Sequence, residues 1–172
     1  NKFKLKKIKA IITMYHGGTP LNAEKFFKIK SKFKAFIIED ACHALGAEYL
    51  FNKKKFKIGS CRHSDICTFS LHPLKTITTG EGGLVTTNSK KLNDKLRLIR
   101  SHGILRDKKK HWNYNVVLRG FNFRLTDFQC ALGISQLSKI TKIINRRKKI
   151  FKFYEKNLKI LSKKIKNFKI PK

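Results

Sequence analysis

The sequence predicts an α/β protein: a central, mostly parallel sheet flanked by helices. Two observations carry that reading. An apolar, β-branched run at 8–14 (IKAIITM), a helical pattern at 21–33 and a second apolar run at 35–38 (AFII) form a strand–helix–strand unit, whose spacing demands a parallel pair. A third run, 66–71, ends in a Gly-rich loop before a fourth, 84–87, and a new helical pattern.

In order along the chain, YHGGTP at 15–20 is a turn, its two glycines allowing tight backbone paths. In 21–33, Leu21, Phe26, Phe27 and Ile29 line one side of a helix and lysines cover the rest. The strand at 35–38 stops at Glu39 and Asp40, and ligands of parallel sheets bind beyond the carboxyl ends of strands, so Asp40 falls at the functional edge. ACHALGA at 41–47 turns away carrying His43, and 51–58 is a lysine-rich hairpin or surface loop. Asn88 or Ser89 caps a helix over 90–101, with Leu92, Leu96 and Ile99 inward and Gly103 as its stop. Residues 105–119, polar, basic and aromatic, read as a mobile loop. Thr126 and Gln129 form a capping box for a helix to about 140. That helix, short of charge, suits packing against protein. A long basic helix over 143–165 follows, with Asn157 the candidate for a break, and a further strand is expected from 165 onward.

Composition bounds the function classes. The chain has 172 residues, a formal charge of +31 and 41 Lys plus Arg, a balance compatible with nucleic acid or an anionic membrane surface. Yet the lysines form no single patch, and over 35–105 there are 11 basic against 6 acidic residues. Uniform Lys, Ile, Asn and Phe enrichment reads as codon bias, and no base-reading module accompanies the charge. No apolar run reaches the roughly 20 residues a membrane span needs, and the N-terminus lacks the features of a secretory signal. Cys42, Cys61, Cys67 and Cys130 form no framework and read as reduced cytosolic thiols. Cys61, His63 and Cys67 match no structural zinc pattern. The chain starts at Asn1 and Met14 is its one methionine, so a piece of a longer protein or a processed product is expected.

The stretch that organises the chain is 68–83, TFSLHPLKTITTGEGG. Lys75 there has an apolar strand behind it, His72 and Pro73 just before it, and no neighbouring charge until Glu81. A lysine held away from water at a strand end loses its proton at modest cost and acts as an amine nucleophile; the alternative is a Gly-rich turn with an exposed lysine. Asp40, Ser70 and Lys75 together are the set a pyridoxal phosphate enzyme needs. The lysine forms the Schiff base, the carboxylate keeps the pyridine nitrogen protonated, and a hydroxyl beside backbone N–H groups takes the phosphate. Each has another explanation at this stage: Asp40 as a helix cap, Ser70 as an edge-strand hydroxyl, His43 as a buried, satisfied histidine.

Four blocks add a resemblance. IIEDACHALGA (37–47), FSLHPLKTITTGEGG (69–83), LRLIRSHGI (96–104) and GFNFRLTDFQCALGISQL (120–137) closely resemble the DegT/DnrJ/StrS-type aminotransferases, in the family's order and spacing, across residues 9–153. The resemblance implies a fold-type I pyridoxal phosphate transferase, with 1–138 a partial large, cofactor-binding domain and 139–172 a linking helix and the start of a small C-terminal domain. It implies Lys75 as the Schiff-base lysine, Asp40 as the pyridinium partner, Ser70 as the phosphate-binding hydroxyl and His43 beside the ring. Asn122 matches an asparagine that enters the neighbouring subunit's phosphate site, so a cytoplasmic homodimer with shared active sites is expected, with neither nucleic acid nor membrane as partner. Lys75, where some relatives carry His and act as dehydratases, implies transamination. The branch most resembled aminates the 4-keto carbon of a UDP-linked 4-keto-6-deoxy-N-acetylhexosamine for pseudaminic acid, with glutamate as donor. Family members are longer at both ends, so an N-terminal phosphate turn, a stacking aromatic ring and most of the small domain are expected outside these residues. Phe123 replaces a usual Tyr, and Arg119 stands where an apolar residue is commoner. The rival readings are an inactive truncated remnant, a transaminase of another keto sugar nucleotide, and a basic RNA-binding fragment.

Overall fold

A computed structural model describes residues 8–107, 109, 110, 112–165 and 168. The strand–helix–strand unit is β1 (Ala10–Met14), α1 (Ala23–Phe33) and β2 (Phe36–Asp40). Asn22 caps α1 through its side chain, which accepts from the Lys25 N–H at 3.0 Å. Next come a hairpin, β3 (Glu48–Phe51) with β4 (Lys54–Lys57), then β5 (Ile66–Ser70) and β6 (Gly83–Thr86). The main sheet runs β1-β2-β5-β6, parallel across its first three strands and antiparallel between β5 and β6.

Helix α2 (Lys90–Arg100) is capped by Ser89, as the sequence indicated. Gly103, at φ +68°, sends its N–H back to the Leu98 carbonyl and ends it. The chain then forms β7 (Ile104–Arg106) and β8 (Tyr114–Val116), an antiparallel hairpin. This corrects the expected mobile loop. The Asp107 carboxylate accepts the Lys109 N–H at 2.7 Å and orders the turn, while the Arg106 guanidinium lies 5.7 Å over the Tyr114 ring. Helix α3 (Asp127–Ser138) begins at the complete Thr126–Gln129 capping box. Helix α4 (Ile140–Lys164) runs through Asn157 without the expected break, and the Asn157 side-chain amide donates to the Phe153 carbonyl one turn back. The strand expected after 165 lies almost wholly outside the described residues. None of the described helices is long and apolar enough to cross a membrane.

The two faces of the sheet differ. One, bearing Thr13, Ile37, Glu39, Cys67 and Phe69, is buried under α1 and the β3–β4 hairpin. Tyr15, Ala41, Ala44, Tyr49 and Ile58 complete its core. Glu39 is only 4% exposed, and the Tyr15 hydroxyl donates to its carboxylate at 2.6 Å, as a buried carboxylate requires. The register pairs Met14 with Asp40 and Asp40 with Thr68. Side chains alternate along strands, so Ile12, Met14, Phe36, Asp40, Thr68 and Ser70 share the opposite face. There Ile12 is 70% and Phe36 54% exposed.

Asp65, just before β5, ties the layers together. Its carboxylate takes both bonds of a Lys30 pair at 2.8 Å and also accepts the Ile37 N–H at 2.8 Å. Its carbonyl accepts from Thr87 at 2.6 Å. Asp65→Ala strands the Ile37 N–H and the Lys30 ammonium together, a loss of ~2 kcal/mol. Asp65→Asn retains an acceptor for Ile37 and loses about half as much. Urea unfolding midpoints check this, and an unchanged midpoint for Asp65→Ala contradicts the role.

Candidate active site

Asp40 ends β2 and Ser70 ends β5, two parallel neighbours. Both therefore stand at the carboxyl edge of the sheet, on the same face, where the sequence placed them. Asp40 is half-buried and its Oδ1 accepts the Cys42 N–H at 3.1 Å. It caps a tight turn rather than a helix. The Cys42 thiol and amide hold the Asp40 carboxyl below the usual carboxylate range, with the His43 and Lys75 charges acting the same way against partial burial. Burial and the Asp40 carboxylate push the Cys42 thiol up, so it stays a protonated donor.

Ser70 lies between β2 and β6 and is no edge-strand hydroxyl. Its Oγ accepts the His72 N–H at 3.3 Å. His43 is exposed rather than buried; its Nδ1 accepts the Gly17 N–H at 3.2 Å, and its ring lies 5.7 Å from that of His16. The turn after β1 thus orients it. Gly18 permits the approach: it sits at φ +84°, and a Cβ there would come 2.7 Å from the His43 carbonyl oxygen.

Lys75 occupies the loop between β5 and β6. Leu71, buried at the loop's neck, donates its N–H to Gly82 at 2.9 Å, and its carbonyl accepts from the Thr79 N–H at 3.0 Å and the Thr78 hydroxyl at 2.9 Å. Above this neck the Lys75 N–H bonds the His72 carbonyl at 2.9 Å. The Lys75 side chain is half-buried, and its charge reaches Asp40 and Cys42. The far half of the loop leans on α3. Gln129 donates to the Glu81 carbonyl at 3.1 Å, and Leu125 packs where any Gly82 side chain would have to go.

Lys75 and His43 thus both come within electrostatic reach of Asp40, and Ser70 shares its edge. Asn122 is not brought there. It is exposed and bridges Ser101 at the end of α2. Sequence reasoning missed Cys42, although an Asp two residues before an N–H donor is the signature of the turn seen here. It also missed Thr68, whose hydroxyl donates to the Glu39 carbonyl at 3.3 Å. Of the three residues weighed as zinc ligands, Cys61 donates to the Thr86 carbonyl at 3.2 Å and Cys67 is buried in the core. His63 stacks on Phe51 with ring centroids 3.6 Å apart and bonds the Tyr49 hydroxyl at 2.8 Å.

These residues suit pyridoxal phosphate. A carboxylate held ionised at neutral pH can bind a protonated ring nitrogen. A primary amine stands within its field, and a strand-end hydroxyl is available to phosphate.

The sequence profile of the DegT/DnrJ/EryC1/StrS aminotransferase family matches residues 5–169. A UDP-4-amino-4,6-dideoxy-N-acetyl-beta-L-altrosamine transaminase of Campylobacter jejuni is 42% identical over 166 residues, 94% of this chain and 42% of its own length. Helicobacter pylori PseC, an aminotransferase involved in the biosynthesis of pseudoaminic acid, superimposes with a TM-score of 0.69 at 38% identity, over 77% of this chain and 34% of its own. The putative sugar aminotransferase Spr1654 of Streptococcus pneumoniae, in its PLP-form, superimposes at 0.72 with 25% identity, over 86% and 41%. The chain spans about two fifths of the length of the curated relatives it matches.

Because the Asp40 carboxyl is held low in the fold, it favours the folded state above the ordinary carboxylate range, and that contribution is lost as pH falls through its lowered value. Cys42→Ala removes the thiol donor, and the Asp40 titration midpoint moves up, while Cys42→Ser leaves it low. Carbon-13 NMR of the carboxyl reads both; an unmoved midpoint in Cys42→Ala contradicts the assignment of Cys42.

Proposed function

The chain belongs to the DegT/DnrJ/EryC1/StrS aminotransferase family, and on that premise we propose that the complete protein is a pyridoxal-phosphate-dependent transaminase. It moves an amino group from glutamate to the 4-keto carbon of a UDP-linked 4-keto-6-deoxy-N-acetylhexosamine, a step toward pseudaminic acid. The observation that carries this reading is Lys75, raised on the neck at Leu71 into the field of an ionised Asp40. The substrate rests on what the C. jejuni and H. pylori proteins are named for.

Lys75 holds the cofactor, Asp40 keeps a proton on its ring nitrogen, His43 lies beside the ring and Ser70 takes the phosphate. When bound, pyridoxal phosphate supplies an aldehyde that condenses with a primary amine, losing water, and a protonated ring that takes up the electron pair of a broken C–H bond. Lys75 Nζ accepts the proton leaving the glutamate α-carbon, and in the second half-reaction it delivers a proton to sugar C4. Asn122 reaches the phosphate of a second copy. The exposed apolar side chains of α3, Phe128 (89% exposed), Ile134 and Leu137, support such a homodimer. Residues 1–138 form part of the large domain, and 139–172 lead into a second one, a reading supported by the exposed Phe151, Phe153 and Tyr154 of α4. The protein works in the cytoplasm without nucleic acid or membrane.

The complete protein, loaded with pyridoxal phosphate and given glutamate alone, should release one 2-oxoglutarate per site. Lys75→Ala should lose at least about 10³-fold in that rate, the weight of a positioned general base. Glutamate left unreacted by the unaltered protein overturns the proposal. Faster amination of a GDP-linked than a UDP-linked keto sugar overturns its substrate.

A further inference from the structure

The Lys75 turn receives support from a part of the chain far away in sequence. Its own neighbourhood fixes it on one side only. The Lys75 N–H is tied to the His72 carbonyl, but Leu74, immediately before it, is 82% exposed. On the other side, the Lys75 carbonyl accepts a hydrogen bond from Arg147 Nη2 at 3.0 Å, sent from the second turn of α4, 72 residues on. Among the described residues, Arg147 alone of the basic run 146–149 bonds to this loop.

A guanidinium suits this task. It is planar, permanently charged and presents its N–H groups in a fixed fork, so it sets direction where an ammonium gives only attraction. With the N–H held by His72 and the C=O by Arg147, both peptide planes beside the Lys75 Cα are constrained. That fixes the Cα–Cβ direction and the volume the flexible stem sweeps in front of Asp40. A nucleophile confined in this way meets its electrophile more often in reactive geometry.

We propose that Arg147 is a positioning residue for Lys75: from α4 it clamps the Lys75 carbonyl and so aims the amine at the cofactor aldehyde. This rests on the reading of Lys75 given above. Arg147 itself touches neither cofactor nor substrate in this account.

The test uses the complete protein as unaltered, Arg147→Met and Arg147→Lys forms, mixed rapidly with pyridoxal phosphate. Absorbance follows covalent capture, in which the Lys75 amine condenses with the aldehyde and one water leaves. Pyridoxamine phosphate, which lacks the aldehyde, reports the rest of the pocket. Arg147→Met should capture about tenfold more slowly, the weight of one charge-assisted hydrogen bond, with pyridoxamine phosphate affinity unchanged and part of the rate recovered in Arg147→Lys. In cofactor-free protein, the Lys75 amide should exchange about tenfold faster in Arg147→Met, with α2 unaffected. Equal capture rates in the unaltered and Met forms overturn the inference alone. So does a loss of pyridoxamine phosphate affinity in step with capture, which would mark general damage. No capture at Lys75 in the unaltered protein overturns the transaminase reading, and this inference with it.

Discussion

The loop that carries Lys75 hangs from the backbone of Leu71. Its N–H and C=O pin Gly82, Thr78 and Thr79, closing the excursion between two antiparallel strands into a loop with a defined top. Without that neck, the hydroxyls and glycines of 76–83 would keep only their ties to Gln129 and Leu125, and Lys75 those to His72 and Arg147. The closure requires a glycine at 82, at φ +150°, where a Cβ would lie 2.7 Å from both the Thr79 hydroxyl and Leu125. Backbone closure and the packing of Leu125, just before α3, therefore constrain the same residue.

The sheet divides its work by face. The buried face is mostly hydrophobic, and its one carboxylate, Glu39, is satisfied by the Tyr15 hydroxyl. The other carries Asp40, Thr68 and Ser70 in line with Ile12, Met14 and Phe36, whose apolar surface stands open in this chain. Polar groups at the carboxyl edge of such a face are held by the backbone below them and by turns beyond them, so they keep their direction whatever approaches. That is the preorganisation a cofactor site demands. The contrast between neighbouring Glu39 and Asp40 shows the rule at single-residue scale: adjacent carboxylates, opposite faces, one buried against a tyrosine, one turned to the site.

Much of this was legible beforehand, because the signals were local or periodic. The strand–helix–strand unit, the Asn/Ser and Thr caps and the stop at Gly103 depend on residues within a few positions of one another. The rule about strand ends puts Asp40 at the carboxyl edge of the sheet, where β2 ends. What escaped depends on partners brought together only by the fold: Asp65 reaching Lys30 and Ile37, Gln129 reaching Glu81, Arg147 reaching Lys75. The 104–116 hairpin escaped for another reason. Its strands are three residues long and separated by lysines, too short for alternation to register. For His43 the alternative of a buried, satisfied histidine is excluded only by the fold, because the turn that holds it leaves the residue exposed.

One lysine among many is set apart by its loop. The most direct measurement is to incubate the complete protein with pyridoxal phosphate, reduce with borohydride, digest it and locate the modified residue by peptide mass spectrometry. Stoichiometric label on Lys75 is expected, absent when Gly82→Val breaks the loop's geometry. Label spread over surface lysines, with Lys75 no more modified than the rest, would contradict it.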